Sequence, residues 1–189
     1  GKNGEPIVGA TPTGYYLKKY CDGSVNISSV NSTNSPHAWI MFRLGEFYLN
    51  YAEATFKYLG SADATTVELP MSARQAVNVI RSRQDVKMPA LAEGLSNDEF
   101  WKKYENERMV ELAFEGHRFW DVRRWKEADK FFKNIQEMKI TRNDDGSFTY
   151  TRETVQRQWD DKMYLFPIPN DVMLTHEKYG PKWEQNPGW

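Results

Sequence analysis

"ERMVELAFEGHRFWDVRRW", residues 107–125, packs eight formal charges, one histidine and four large aromatics into nineteen positions. On a helix that turns about 100° per residue, Glu107, Glu111 and Glu115 fall on one stripe. Met109, Val110, Ala113 and Phe114 form the adjoining apolar arc. Like charges one turn apart repel by about 0.2–0.5 kcal/mol per pair, so the stripe needs cations nearby. Arg108, Arg118, Arg123 and Arg124 are the nearest supply. Arginine's planar fork can hold a carboxylate with two hydrogen bonds, which suits a partly buried link between helices. The stretch therefore reads as scaffold.

Catalytic readings of the same residues fail on geometry. A glycosidase needs two carboxylates about 5–9.5 Å apart across a cleft, with different pKa values. Two glutamates one turn apart among arginines do not meet that need. His117 and Asp121 are four apart, as two triad members might be on one helix, but no Gly-x-Ser-x-Gly elbow accompanies them. Glu115 and His117 are two apart across Gly116, whereas helical di-iron ligands stand at Glu-x-x-His. His37 and His176 are isolated. A calcium-loop alignment on Gly146 puts Thr141 at the first ligand position and Arg152 where a glutamate must bind. No glycine-rich phosphate loop is present. No catalytic, metal or cofactor-binding residue is assigned.

Working outward, a helix is expected over 40–59, with Leu44, Phe47, Tyr48, Tyr51, Thr55, Tyr58 and Leu59 at three- and four-residue steps and Gly60 as its end. A second runs over 72–84, with Ser72 as N-cap and Ala76, Val77 and Ile80 buried. Ser96 and Glu99 make a Ser-x-x-Glu capping box for a third, reaching Phe114. Gly116 suits a left-handed helix terminus, and a fourth helix covers 117–132. Asp145-Gly146 lies between two alternating segments, a hairpin signal. "MYLFPIP" (163–169) reads as a short strand, Asn170 as the cap of one last helical turn, and "YGPKWEQNPGW" as an irregular tail. The chain thus divides into a lead-in (1–39), a helical part (40–132) and a hairpin, strand and tail (133–189).

Composition narrows the partners. Lys and Arg number 25 against 26 Asp and Glu, a net charge of −1, which does not suit a nucleic-acid binder. No run of 18 apolar residues exists. The opening "GKNGEPIVGATP" has no secretion-signal pattern and reads as the inside of a longer protein. The single cysteine, Cys21, allows no internal disulfide and is expected to be buried or idle. Asn26 and Asn31 begin Asn-x-Ser/Thr sequons inside a polar loop, 22–36, closed by Pro36. Of seven tryptophans, Trp101, Trp120 and Trp125 lie in helical stretches and are expected in the core. Trp39, Trp159, Trp183 and Trp189 lie in looser segments, free to stack on a sugar or peptide.

Five segments, in order, resemble the C-terminal half of the SusD/RagB family, surface nutrient-binding lipoproteins of Bacteroidetes. They are "RLGEFYLNYAEATFKYLG" (43–60), "AVNVIRSRQ" (76–84), residues 107–125, "YLFPIPNDVM" (164–173) and "WEQNPGW" (183–189); "TGYYLKKY" (13–20) also fits. The resemblance implies a mainly α fold of tetratricopeptide-like helix pairs, with a small β-hairpin and long irregular loops. It implies a protein that is not an enzyme, needs no cofactor, and is tethered by lipid to the outer face of the outer membrane. There it would pass captured glycans, starch or other polysaccharide fragments, to a SusC-type TonB-dependent transporter. It would touch the membrane only through an anchor absent from this chain, which lacks the family's N-terminal half; Cys21 has no lipoprotein sequence around it. The motif residues Glu107, Arg108, Glu111, Glu115, Gly116, Arg118, Asp121, Arg124 and Trp125 carry over as a structural signature. Family ligand contacts lie on variable loops, which leaves 22–36 and 141–162 as the places for specificity and Trp39 and Trp159 as ligand candidates. Peptide capture on the same fold, a glycosidase fragment, and a helical scaffold without a ligand site stay open beside the glycan reading.

Overall fold

A computed structural model describes residues 8–26, 30, 32–35 and 37–189. Asn31, Pro36 and the Ile27-Ser28 half of the Asn26 sequon lie outside the described residues. The chain forms two compact units, one of Asp22–Phe119 and one of the stretch up to Cys21 with Trp120–Trp189. The fold is mainly helical, as expected, with one two-stranded antiparallel sheet among the described residues.

The first unit holds α1 (Leu44–Leu59), α2 (Ala73–Arg81) and α3 (Asn97–Glu111). Helix α1 begins four residues later than its periodicity suggests, because Arg43 is extended and its side chain is used elsewhere. Gly60, in the left-handed region, returns its N–H to Phe56 O and ends the helix. Ser72 caps α2, and Gln75 completes a capping box. The Ser96–Glu99 box starts α3 as read; the Ser96 hydroxyl and N–H hold the Glu99 carboxyl below its usual range. Leu49, Ala52 and Phe56 of α1 meet Ala76, Val77 and Ile80 of α2 and Phe100 and Tyr104 of α3 in one core. The Tyr104 hydroxyl sits between Leu49 O at 3.1 Å and Glu53 Oε2 at 2.8 Å.

Apolar spacing does not by itself mark the buried face. The arc of Met109, Val110 and Phe114 points to solvent, while Glu107 and Arg108 are buried. On α1 the periodic set divides: Leu44, Phe47 and Tyr58 are exposed, Tyr48, Tyr51 and Leu59 are partly buried, and Thr55 joins Leu49, Ala52 and Phe56 in the buried stripe. Helix α3 ends at Glu111, short of the expected Phe114: Leu112 is its cap, and Phe114 and Gly116 beyond it take positive φ, 62° and 83°.

The boundary between the units falls within α4 (His117–Arg124). The expected helix over 117–132 is broken: Lys126 has φ 56°, and a separate turn, α5 (Ala128–Phe131), follows. Strands β1 (Asn134–Arg142) and β2 (Phe148–Gln156) pair in the register the Asp145-Gly146 turn requires, with Gly146 at φ 84°. Thr13 O accepts from Met138 N at 2.8 Å, so the lead-in lies along β1. Gly14 there has φ 72°, and a Cβ would stand 1.9 Å from Met138 O.

No strand forms at 163–169. A 3-10 turn, Asp161–Tyr164, leads into the Pro167-Ile168-Pro169 run, and prolines cannot donate to a ladder. Gln185 serves as the neighbour instead. Its Oε1 accepts from Ile168 N and its Nε2 donates to Ile168 O. Asn186 donates to Phe166 O, and the Trp189 indole to Lys162 O and Leu165 O. The two C-terminal motifs thus meet each other. Helix α6 (Asn170–Tyr179) runs ten residues rather than one turn, with Asn170 inside it and Pro169 at the cap position.

Candidate functional site

The glutamate stripe is the best-built cluster of the first unit. Arg43 Nε and Nη2 grip Glu115 at 2.7 and 2.9 Å, Nη1 meets Glu111 Oε1 at 2.5 Å, and Nη2 also reaches Glu111 O. Arg83 takes Glu111 from another side, Nη1 to Oε1 at 2.6 Å. Arg81 Nη1 bonds Glu107 Oε2, and Arg108 Nη1 reaches Asn50 Oδ1 at 2.8 Å. The Glu111 and Glu115 side chains are only 10% and 2% exposed. Burial, the largest single influence on Arg43, favours its neutral form. Hydrogen bonds to Glu115 and Glu111, with their charges, outweigh it and raise its pKa.

The expected glutamate–arginine pairing is therefore present, and it draws on arginines the sequence did not point to. Arg43, Arg81 and Arg83 come from segments 26 to 72 residues away. Gly45 belongs to the same knot, since a Cβ there would stand 2.7 Å from Arg43 Nη1 and 2.9 Å from Glu111 Oε1. His117 Nε2 lies 3.7 Å from Glu46 Oε2, and Asp121 holds Arg124 at 2.8 Å. Among the described residues no group of three His, Cys, Asp or Glu could hold a metal. No described helix is long and apolar enough to cross a membrane. Cys21 is exposed rather than buried.

The aromatic candidates differ sharply. Trp39 stands in the irregular lead-in to α1 and is 83% exposed. Trp159 is partly buried: Phe132 and Tyr164 lie 5.6 and 5.0 Å from its ring, the Arg123 guanidinium 5.3 Å. Burial lowers the Arg123 pKa. Trp101 is partly buried: it stacks on Phe56 and Tyr104 at the margin of the core, with Lys57 Nζ 3.8 Å from its ring centre. Trp120 does not fit the core expectation; it is exposed and meets Phe166 edge-on. Beside α1, Leu44, Phe47, Tyr48 and Tyr51 face Glu68, Pro70 and Met71 across an apolar groove of about 430 Å³.

The family model described as the SusD family matches residues 1–189. No curated protein sequence matches the chain. Among solved structures it is similar to a crystal structure of a SusD-like protein from Bacteroides fragilis, at 34% identity and a TM-score of 0.63. That match covers 84% of this chain and 28% of the other, so this chain spans less than a third of that relative.

Proposed function

The chain belongs to the SusD family, and on that premise we propose that it is part of a glycan-capture protein of the bacterial surface that does no chemistry on its ligand. In this reading the protein is held at the outer membrane by lipid and passes oligosaccharides to a SusC-type TonB-dependent transporter. The observation that carries the non-catalytic part is the fate of residues 107–115: the acids an enzyme would need are consumed in arginine pairs between helices. Trp39 is the residue proposed to touch sugar, because its indole has an open face for stacking on pyranose C–H groups. Trp159 is assigned packing within its own unit instead.

One observation favours peptide as the cargo instead. Among the described residues β2 pairs with β1 alone, and it leaves a nine-residue edge for an extended chain to join. Calorimetry of the folded protein against oligosaccharides and short peptides separates the two. Saturable sugar binding, weakened about three- to tenfold by Trp39→Ala, is the expected result. Peptide binding that survives Trp39→Ala transfers the assignment to β2. A folded chain that binds neither class makes this part a scaffold.

A further inference from the structure

The β-hairpin carries its own exposed rings, and they stand among cations. Its register sets Arg142 opposite Phe148, Ile140 opposite Tyr150 and Met138 opposite Arg152. Residues opposite each other in an antiparallel pair share a face, and alternate residues along a strand keep to it. These six side chains therefore lie together on one side of the ribbon. Glu137 and Glu153 are opposite each other on the reverse side, where Lys139 Nζ lies 3.5 Å from Glu153. The strands thus sort their charges, with both arginines on one face and both glutamates on the other.

On the arginine face Phe148 is 54% exposed and Tyr150 64%, and Arg142 and Arg152 are exposed as well. Among the described residues neither ring is stacked on another, and neither arginine has a hydrogen bond, an ion pair or a ring beneath it. Arg142 stands across from Phe148 without covering it. Along β2 the order Phe148, Tyr150, Arg152 falls at alternate positions, about 7 Å apart. Asp144 and Asp145 belong to the turn beyond, and Asp145 is bonded to Ser147. Two open rings and two open guanidinium groups thus share a strip that holds no acid.

Size and chemistry together select the ligand. Two nine-residue strands about 4.8 Å apart present roughly 300 Å² on one face. That is well short of the roughly 800 Å² per partner of a stable protein interface. A sugar ring needs only a flat aromatic to lie on. A uronic acid carries its carboxylate directly on the ring carbon, at the edge of a stacked ring. There the planar fork of an arginine can take both oxygens. Resting on the glycan-capture reading above, we propose that this face binds uronic-acid residues of an acidic oligosaccharide. Phe148 and Tyr150 stack on the sugar rings, and Arg142 and Arg152 pair with their carboxylates.

Calorimetry of the full-length protein with trigalacturonate, its methyl ester and maltoheptaose tests this. The free acid is expected to bind about tenfold or more tightly than the ester, because hydrogen bonds to a charged group are the stronger ones. The double variant R142Q/R152Q should erase that preference. Tyr150→Ala should weaken acid and ester alike, by about three- to tenfold. All three positions are exposed, and circular dichroism checks that the variants fold. Equal binding of acid and ester by the wild type overturns the inference. So does a preference for the acid that survives R142Q/R152Q. Binding of maltoheptaose alone overturns it while leaving glycan capture in place, whereas binding of no saccharide counts against both. A double variant that loses affinity for polyglutamate but keeps its preference for trigalacturonate makes the face a protein contact and overturns it too.

Discussion

The two units are held by different means. In Asp22–Phe119 the cohesion is side chain to side chain: a core of Leu49, Val77, Ile80, Phe100 and Tyr104, and beside it the Arg43–Glu111–Glu115–Arg83 knot. In the second unit the fully buried side chains on the described residues are few, Asp121, Val122 and Ala128. There the chain is secured by backbone groups: Thr13 O on β1, Gln185 astride Ile168, the Trp189 indole on two carbonyls. Direct pairing of backbone groups gives precise shape from little apolar burial. It also makes that unit depend on a few positions where no larger side chain fits.

The sharpest way to break the contrast is Glu111→Ala. It removes the carboxylate that Arg43 and Arg83 share, while Arg43 keeps Glu115 and Arg83 keeps Asp85; losing hydrogen bonds to a charged group costs about 1.5–3 kcal/mol. Urea unfolding followed by hydrogen exchange should show that loss in Asp22–Phe119 and no change in β1 and β2. Ligand binding by the folded fraction should stay intact; lost binding at unchanged stability would contradict the scaffold assignment. Next comes Gly14→Ala, which forces a Cβ onto Met138 O at a positive φ. Strain of this kind costs about 1–3 kcal/mol, and exchange should quicken at Met138 while α1–α3 stay protected.

The smallest effect is a pH dependence. Burial tends to raise the Asp63 pKa, but Arg74 and the Gly94 N–H hold it below the usual carboxylate value. A depressed folded pKa contributes stability above the unfolded value and loses it as pH falls through the folded one. Between about pH 6 and pH 3 the wild-type midpoint in the first unit should therefore fall more than that of Asp63→Asn. Equal slopes would mean that the Arg74 clasp adds nothing.

What the sequence disclosed follows the range of each interaction. The Ser96–Glu99 box, the Gly60 terminus and the Asp145-Gly146 turn are settled within four residues, and each stands where it was read; Gly116 is left-handed as read, but α3 has already ended at Glu111. The misread features depend on distant partners. The periodicity of Leu44, Phe47 and Tyr58 is real, but periodicity names an apolar face without saying what covers it. The glutamate stripe was read as paired with arginines, but its partners at 43, 81 and 83 lie too far along the chain for a local rule to name them. The run at 163–169 looked like a strand because no short-range rule could supply Gln185. Of the ligand candidates, Trp39 and Trp159 were indistinguishable by context; only the neighbours gathered around Trp159 separate them.

The Arg43 clasp has a consequence in time. It joins residues 68 and 72 positions apart, so its loop-closure entropy must be met before it contributes anything. The α1–α2 contacts are shorter in range and should form earlier, with the clasp closing after α3 is in place. On the ribosome, where the chain emerges N-terminus first, Arg43, Arg81 and Arg83 wait in water for glutamates not yet made. Solvated guanidinium groups tolerate that interval. The reverse order, with bare carboxylates awaiting late arginines, would be equally soluble. Placing the cation at the helix entrance lets a partner made later lock a helix made earlier.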